Sequence, residues 1–144
     1  MKKVLVSACL VGENCKYNGK NNYNEKVIEY LKDKEVILVC PEVMGGLPTP
    51  RLKSEIDSTN DELVVINEFK DNVTSYFVEG AKKALKKALD NGVEEAILKA
   101  KSPSCGVNEI YDGNFNGTLI DGDGVFVRML KEYNVKIMSE NDFK

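Results

Sequence analysis

Short apolar runs alternate along this chain with longer stretches in which apolar residues recur every three or four positions. Val4 to Ala8 predicts a buried strand, and Gly12 to Asn22 a polar loop rich in glycine and asparagine. Asn24 is placed to cap a helix whose apolar stripe is Val27, Ile28 and Leu31, with Glu25 and Lys26 on the wet side. Val36 to Val39 predicts a second strand that stops at Cys40-Pro41, and Leu63 to Ile66 a short strand of an edge hairpin. A long helix is expected from Asp71, with Val73, Phe77, Ala81, Ala84, Leu85 and Ala88 on its apolar face and Gly92 ending it. Ala96 to Ala100 then reads as a strand, Gly124 to Tyr133 as a helix with Val125, Met129 and Leu130 inward, and Val135 to Met138 as a last strand.

Two segments break the alternation. Pro41 to Ser54 holds three of the four prolines and the pair Gly45-Gly46, which predicts an ordered loop rather than a regular helix or central strand. Asp112 to Gly124 is rich in Gly, Asn and Asp and reads as loop, with a hairpin around Phe115 and Leu119. Strands alternating with helices predict an α/β protein, a Rossmann-like three-layer fold with a mostly parallel sheet. A dinucleotide-binding version is excluded, because Cys9-Leu10-Val11-Gly12-Glu13-Asn14-Cys15 stands where a GxGxxG turn would follow the first strand.

Composition narrows the class. The 144 residues are expected to form one domain over 1–144, and a net charge of −3 argues against binding nucleic acid backbones. The cluster Lys82-Lys83 with Lys86-Lys87 fits the wet face of a helix. No signal peptide and no run of membrane-spanning length are expected, so the reading is a cytoplasmic protein whose thiols stay reduced.

The chemistry rests on sulfur. The chain has no histidine, which removes Ser-His-Asp and Cys-His catalysis and every Cys/His zinc set, and it has no CxxC pair. Three of its four cysteines sit where an apolar run stops: Cys9, Cys40 and Cys105. If those runs are parallel strands of one sheet, their carboxyl ends share an edge, and three thiolates converge where open α/β sheets bind ligands. Soft sulfur ligands without histidine suit an iron–sulfur cluster, copper(I) or thiolate zinc. Cys15 is open to several roles: a fourth ligand, a persulfide carrier or a small buried residue. Two alternatives to a catalytic cluster stand beside it. Either all four cysteines hold zinc in a binding module, or Cys9 and Cys15 form a reversible disulfide while Cys40 and Cys105 pack in the core.

Four motifs in order, Ser7-Ala8-Cys9-Leu10-Val11-Gly12, Lys16-Tyr17-Asn18-Gly19, Cys40-Pro41-Glu42-Val43-Met44-Gly45-Gly46-Leu47-Pro48-Thr49-Pro50-Arg51 and Lys101-Ser102-Pro103-Ser104-Cys105-Gly106, resemble the short, single-domain form of the thiouracil desulfidase family. The resemblance implies a [4Fe–4S] cluster on Cys9, Cys40 and Cys105, with one iron free of protein ligands and a cluster that air exposure removes. It implies hydrolytic desulfuration of a thiolated nucleobase such as 2-thiouracil, with the sulfur bound at the open iron and sulfide released. Under that reading Glu42, two residues after Cys40, is the base that activates water, and Ser102 relays a proton or positions substrate. Ser104 is expected to bond the loop or a ligand sulfur, Tyr17 to stack on the base or donate to it, and Cys15 to be a nearby thiol outside the ligand set. The backbone amides of Gly46 and Gly106 are expected to bond cluster sulfurs.

Overall fold

The computed structural model describes residues 1–143 and contains, in chain order, β1 (Lys3–Ser7), α1 (Glu25–Leu31), β2 (Glu35–Val39), α2 (Pro41–Met44), β3 (Ser54–Ile56) and β4 (Val65–Asn67). These are followed by α3 (Thr74–Asn91), β5 (Glu95–Leu98), β6 (Glu109–Tyr111), β7 (Leu119–Asp121), α4 (Val125–Leu130) and β8 (Lys136–Ser139). Four strands form one parallel sheet in the order β2-β1-β5-β8. The central strand β1 pairs with β2 from Lys3–Glu35 to Ser7–Val39, and with β5 from Val4–Glu95 to Val6–Ile97.

Alternation along β1 builds the layers, because successive strand residues point to opposite faces. Val4 and Val6 are buried with Leu10, Ile97 and the Val27 and Leu31 of α1. Leu5 faces the other way, into a larger core with Ile37, Val39, Ala96 and Leu98 of the sheet, Phe77, Ala81, Ala84 and Ala88 of α3, and Phe126 and Leu130 of α4. With both faces covered, the strands read as continuous apolar runs. Each fully buried Val, Leu or Phe contributes about 1.5–3 kcal/mol of transfer free energy, so register in β1 is strongly specified.

Helix ends follow the sequence where a cap is local. The Asn24 side chain accepts a hydrogen bond from Val27 N at 3.1 Å. Gly92, at φ 62°, ends α3 in the left-handed conformation, and Val93 N then donates to Ala88 O at 3.2 Å. The start of α3 falls three residues later than expected from Asp71. Asn67 Oδ1 accepts from Phe69 N at 2.9 Å and Asp71 N at 3.1 Å, and Val73 N donates to Val65 O at 2.8 Å. These bonds fasten residues 67–73 to β4 instead of releasing them to the helix.

The proline-rich segment departs from a pure loop. Pro41 begins the single turn α2, where its missing N–H is no loss, with Cys40 as the residue before the helix. The strand expected at Leu63–Ile66 forms at Val65–Asn67 and pairs antiparallel with β3, from Ser54–Asn67 to Ile56–Val65. The hairpin expected around Phe115 and Leu119 forms as β6 with β7, which pair from Glu109–Asp121 to Tyr111–Leu119 and hold Phe115 in their loop. Among the described residues no helix is long and apolar enough to cross a membrane.

Candidate functional site

Because β1 lies between β2 and β5, the residues that leave these three strands emerge side by side. Cys9 sits in the helical turn Ala8–Val11 directly after β1, Cys40 directly after β2, and Cys105 on the loop after β5. The chain steps from β1 to β2 on one side and to β5 on the other, which makes this carboxyl edge a topological switch point. A cavity of about 480 Å³ opens there, lined by Cys9, Cys15, Cys40, Cys105, Glu42 and Ser102 together with Tyr17, Arg51, Lys99 and Phe115.

The Cys105 loop is set by the start of α4. Val125 N donates to Pro103 O at 2.8 Å and Phe126 N to Ser104 O at 3.0 Å, so loop carbonyls satisfy amides that a helix leaves open at its first turn. Gly124 permits the approach, since a β-carbon there would overlap the Ser104 carbonyl. Ser102 Oγ then accepts from Ser104 N at 3.2 Å and Cys105 N at 3.1 Å.

A carboxylate joins the loops. Glu42 Oε1 accepts a hydrogen bond from Ser104 Oγ and a longer one from Ser102 Oγ at 3.5 Å, and the two hydroxyls are 3.0 Å apart. Glu42 Oε2 lies 3.7 Å from Cys40 Sγ and 3.6 Å from Arg51 Nη2. Ser104, fully buried, makes the closer contact with Glu42 and also donates to Cys105 Sγ at 3.6 Å, the ligand-sulfur contact expected of it, while Ser102 lines the cavity and holds the loop backbone. Arg51 spans the site: Nη2 donates to Cys15 O at 2.9 Å, and Nη1 to Pro48 O at 3.2 Å and Thr49 Oγ1 at 3.1 Å.

Burial shapes the thiols. It pushes Cys9 up from the ordinary thiol range, opposed by the Asn22 amide that donates to Cys9 Sγ at 3.4 Å. It pushes Cys105 further up, reinforced by the charge of Glu42 and opposed by the hydroxyls of Ser7 and Ser104. The neighbouring Cys40 raises Cys15, with burial adding to it, and Cys15 lowers Cys40 against the effect of burial there, while Cys40 Sγ donates to the Cys15 carbonyl at 3.8 Å. Cys40 Sγ thus meets the backbone of Cys15, and all four thiols are free.

The donor chemistry fits an iron–sulfur group. Buried thiolates need a cationic centre to offset the loss of hydration, and a bound metal keeps a coordinating thiol deprotonated. Among the described residues no three cysteine or acidic side chains are arranged to hold a single metal ion. Cys9, Cys40 and Cys105 line one cavity together, and thiolates are the donors an iron–sulfur cluster takes.

Other expected roles meet competing bonds. Gly46 N donates to Val43 O at 3.0 Å and Gly106 N to Ser102 O at 2.8 Å, so neither amide is free for a cluster sulfur. Tyr17 does line the cavity, with Lys53 Nζ 5.4 Å and Lys16 Nζ 5.7 Å from its ring centroid. Sequence reasoning gave no role to Lys99, whose Nζ pairs with Glu140 at 2.9 Å, or to Phe115. Signals for both exist: Lys99 is the one charged residue in the apolar run Ala96 to Ala100, and Phe115 is a lone aromatic between two asparagines in a polar turn.

The family described as 2-thiouracil desulfurase matches residues 4–142. Uncharacterized protein YbbK of Bacillus subtilis (strain 168) is 38% identical over 145 residues, 96% of this chain and 96% of that protein. The solved structure of the [4Fe-4S]-dependent thiouracil desulfidase TudS (DUF523Vcz) superimposes with a TM-score of 0.88 at 35% identity, covering 99% of this chain and 93% of that one.

Proposed function

This chain belongs to the 2-thiouracil desulfurase family, and from that premise we propose that it removes sulfur from a 2-thiouracil-like nucleobase by [4Fe–4S]-dependent hydrolysis. The net exchange breaks the carbon–sulfur bond, forms a carbon–oxygen bond from water and releases sulfide. The observation that carries this reading is the convergence of Cys9, Cys40, Cys105 and Glu42 on one cavity at the carboxyl edge of the sheet. Cys9, Cys40 and Cys105 would hold the cluster, which supplies a Lewis-acidic iron for the substrate's sulfur.

The chain's own groups handle water and protons. Glu42 Oε1 is held by the two serine hydroxyls, which fixes the plane of the carboxylate. Oε2 has only the long contacts to Cys40 and Arg51, so this oxygen takes the proton from the attacking water. Ser102 lines the cavity and stands 3.0 Å from Ser104, which extends the hydroxyl chain from Glu42 toward the substrate. The proton taken on Oε2 is handed back from that same oxygen to the ring nitrogen or the departing sulfur, while the serine hydroxyls on Oε1 hold the carboxylate in place. Cys15 lies outside the ligand set, its backbone carbonyl accepting from Arg51 Nη2 at 2.9 Å and from Cys40 Sγ at 3.8 Å.

Anaerobic purification with visible spectroscopy, iron and acid-labile sulfide analysis, and a sulfide-release assay on 2-thiouracil test the proposal. The expected result is a brown protein that turns 2-thiouracil into uracil and sulfide. Cys9→Ser, Cys40→Ser and Cys105→Ser should lose the cluster while Cys15→Ser keeps it. A colourless anaerobic protein carrying zinc or no metal overturns the reading.

A further inference from the structure

Phe115 has a backbone φ of 55°, in the left-handed region that a bulky aromatic residue rarely occupies. Strained residues of this kind persist only where their surroundings over-determine them, and they gather at ligand sites. The surroundings here are specific. Gly113 N at 3.0 Å and Phe115 N at 3.3 Å both donate to Oε1 of Glu55, a carboxylate on β3 that is only 8% exposed. Ser58 N donates to Asp112 O at 3.3 Å, and Gly113 lies so close to β3 that a β-carbon would stand 2.7 Å from Ile56 O. The tip of the β6–β7 hairpin is thereby locked onto the β3–β4 hairpin.

The lock joins two hairpins that feed the core through Ile56, Val65 and Ile110, but Phe115 itself does not pack there. Phe115 is half-buried, belongs to neither core cluster and lines the cavity that holds the cysteines. Lys70 Nζ sits 5.1 Å from its ring centroid, a cation–π contact that holds the ring in place. Tyr17, the aromatic residue expected to stack, has two ammonium groups within reach of its ring, whereas Phe115 has one.

We propose that Phe115 is the platform on which the planar ring of the substrate stacks, and that Glu55 is the positioning residue that fixes it through the Gly113 and Phe115 amides. The proposal rests on the reading of the substrate as a thiolated base. Stacking on an aromatic face needs a flat π-system and is indifferent to where the sulfur sits, so Phe115 selects the ring class and leaves the choice of sulfur position to other groups.

Equilibrium binding of uracil, 2-thiouracil and the non-aromatic 5,6-dihydro-2-thiouracil to cluster-loaded wild type, Phe115→Leu, Phe115→Tyr and Glu55→Gln tests it, alongside KM and kcat. Phe115→Leu should weaken uracil and 2-thiouracil about tenfold and the dihydro compound far less, with Phe115→Tyr restoring affinity. Glu55→Gln should raise KM with little change in kcat. Uracil binding needs no sulfur chemistry, so Phe115-dependent uracil binding supports the platform even where no sulfide is released, a result that would remove the desulfidase reading alone. Equal binding by wild type and a folded Phe115→Leu, an equal loss for the dihydro compound, or a wild type that binds none of the three overturns it.

Discussion

Gly80 of α3 lies against Pro41 of α2 so closely that a β-carbon at position 80 would overlap the Pro41 carbonyl oxygen. The same atom would stand 3.0 Å from Gly45 N, and a β-carbon on Gly45 would in turn overlap the Tyr76 carbonyl. Two glycines thus let α2, which carries Glu42 and follows Cys40, seat directly on the long helix.

Gly80→Ala sets two effects against each other. Alanine in a helix interior normally gains about 1 kcal/mol over glycine, while overpacking against a fixed backbone typically costs about 1–3 kcal/mol. The obstruction here is backbone rather than a flexible side chain, so the net effect is destabilising and α2 must move. Thermal unfolding should show a lower Tm, by a few degrees, and iron content after anaerobic loading should fall. An unchanged Tm and full iron content would mean that α2 is not held by this contact.

Glu42 and the two serines separate by assay. Glu42→Gln preserves shape but cannot take a proton, so kcat should fall by about 10²–10⁴ with the cluster spectrum intact. Ser104→Ala removes the closest donor to Glu42 Oε1 and should lower kcat while iron stays bound. Ser102→Ala leaves the Ser104 and Cys105 amides without their acceptor, an unmade-bond cost of about 1–3 kcal/mol, and should loosen the Cys105 loop. Paired measurements of kcat and iron content distinguish them; wild-type kcat in Ser104→Ala would remove that serine from the catalytic network.

At the opposite end of the sheet, Tyr30 donates a hydrogen bond to Glu95, which also pairs with Lys2 at 3.4 Å. That bond pushes Tyr30 up to about 12, with burial and the charge of Glu95 adding to it. Burial opposes ionisation of Glu95, but the hydrogen bonds from Tyr30 and Lys2 prevail and hold its carboxyl below the usual range. Tyr30 therefore contributes stability that is complete below pH 10 and is lost as pH rises to about 12. Glu95 contributes stability present above pH 4.5 and lost as pH falls through its lowered value. Denaturant unfolding across pH should show a steeper alkaline decline in wild type than in Tyr30→Phe, and identical slopes would refute the assignment.

The parts of this fold that sequence reasoning reached are those with a local cause. Val4, Val36 and Ala96 open apolar runs whose ends place three cysteines, Asn24 caps its own helix, and Gly92 ends another by its own conformation. What it missed depends on partners far along the chain. Ser54-Glu55-Ile56 is a strand only because Val65-Ile66-Asn67 lies beside it, and α3 starts late because Asn67 holds Asp71. The nearness of Ser104 rather than Ser102 to Glu42 is fixed by α4, whose first amides grip the loop from 20 or so residues downstream.

Arg51 is one of two arginines in the chain, and its side chain is only 9% exposed. Its guanidinium reaches the Cys15 carbonyl from one nitrogen and Pro48 and Thr49 from another, while standing 3.6 Å from Glu42. Arg51→Lys keeps the positive charge but replaces a planar fork with a single ammonium that cannot span those acceptors at once. The Cys15 loop, tied to the rest of the site by that fork, should open more readily over Cys40. We therefore expect Arg51→Lys to accept a cluster under anaerobic loading and then lose iron to a chelator several times faster than wild type. Equal rates of iron loss would show that the loop is held by its own turns, of which Gly19 N to Lys16 O at 2.9 Å is one, and that Arg51 serves Glu42 alone.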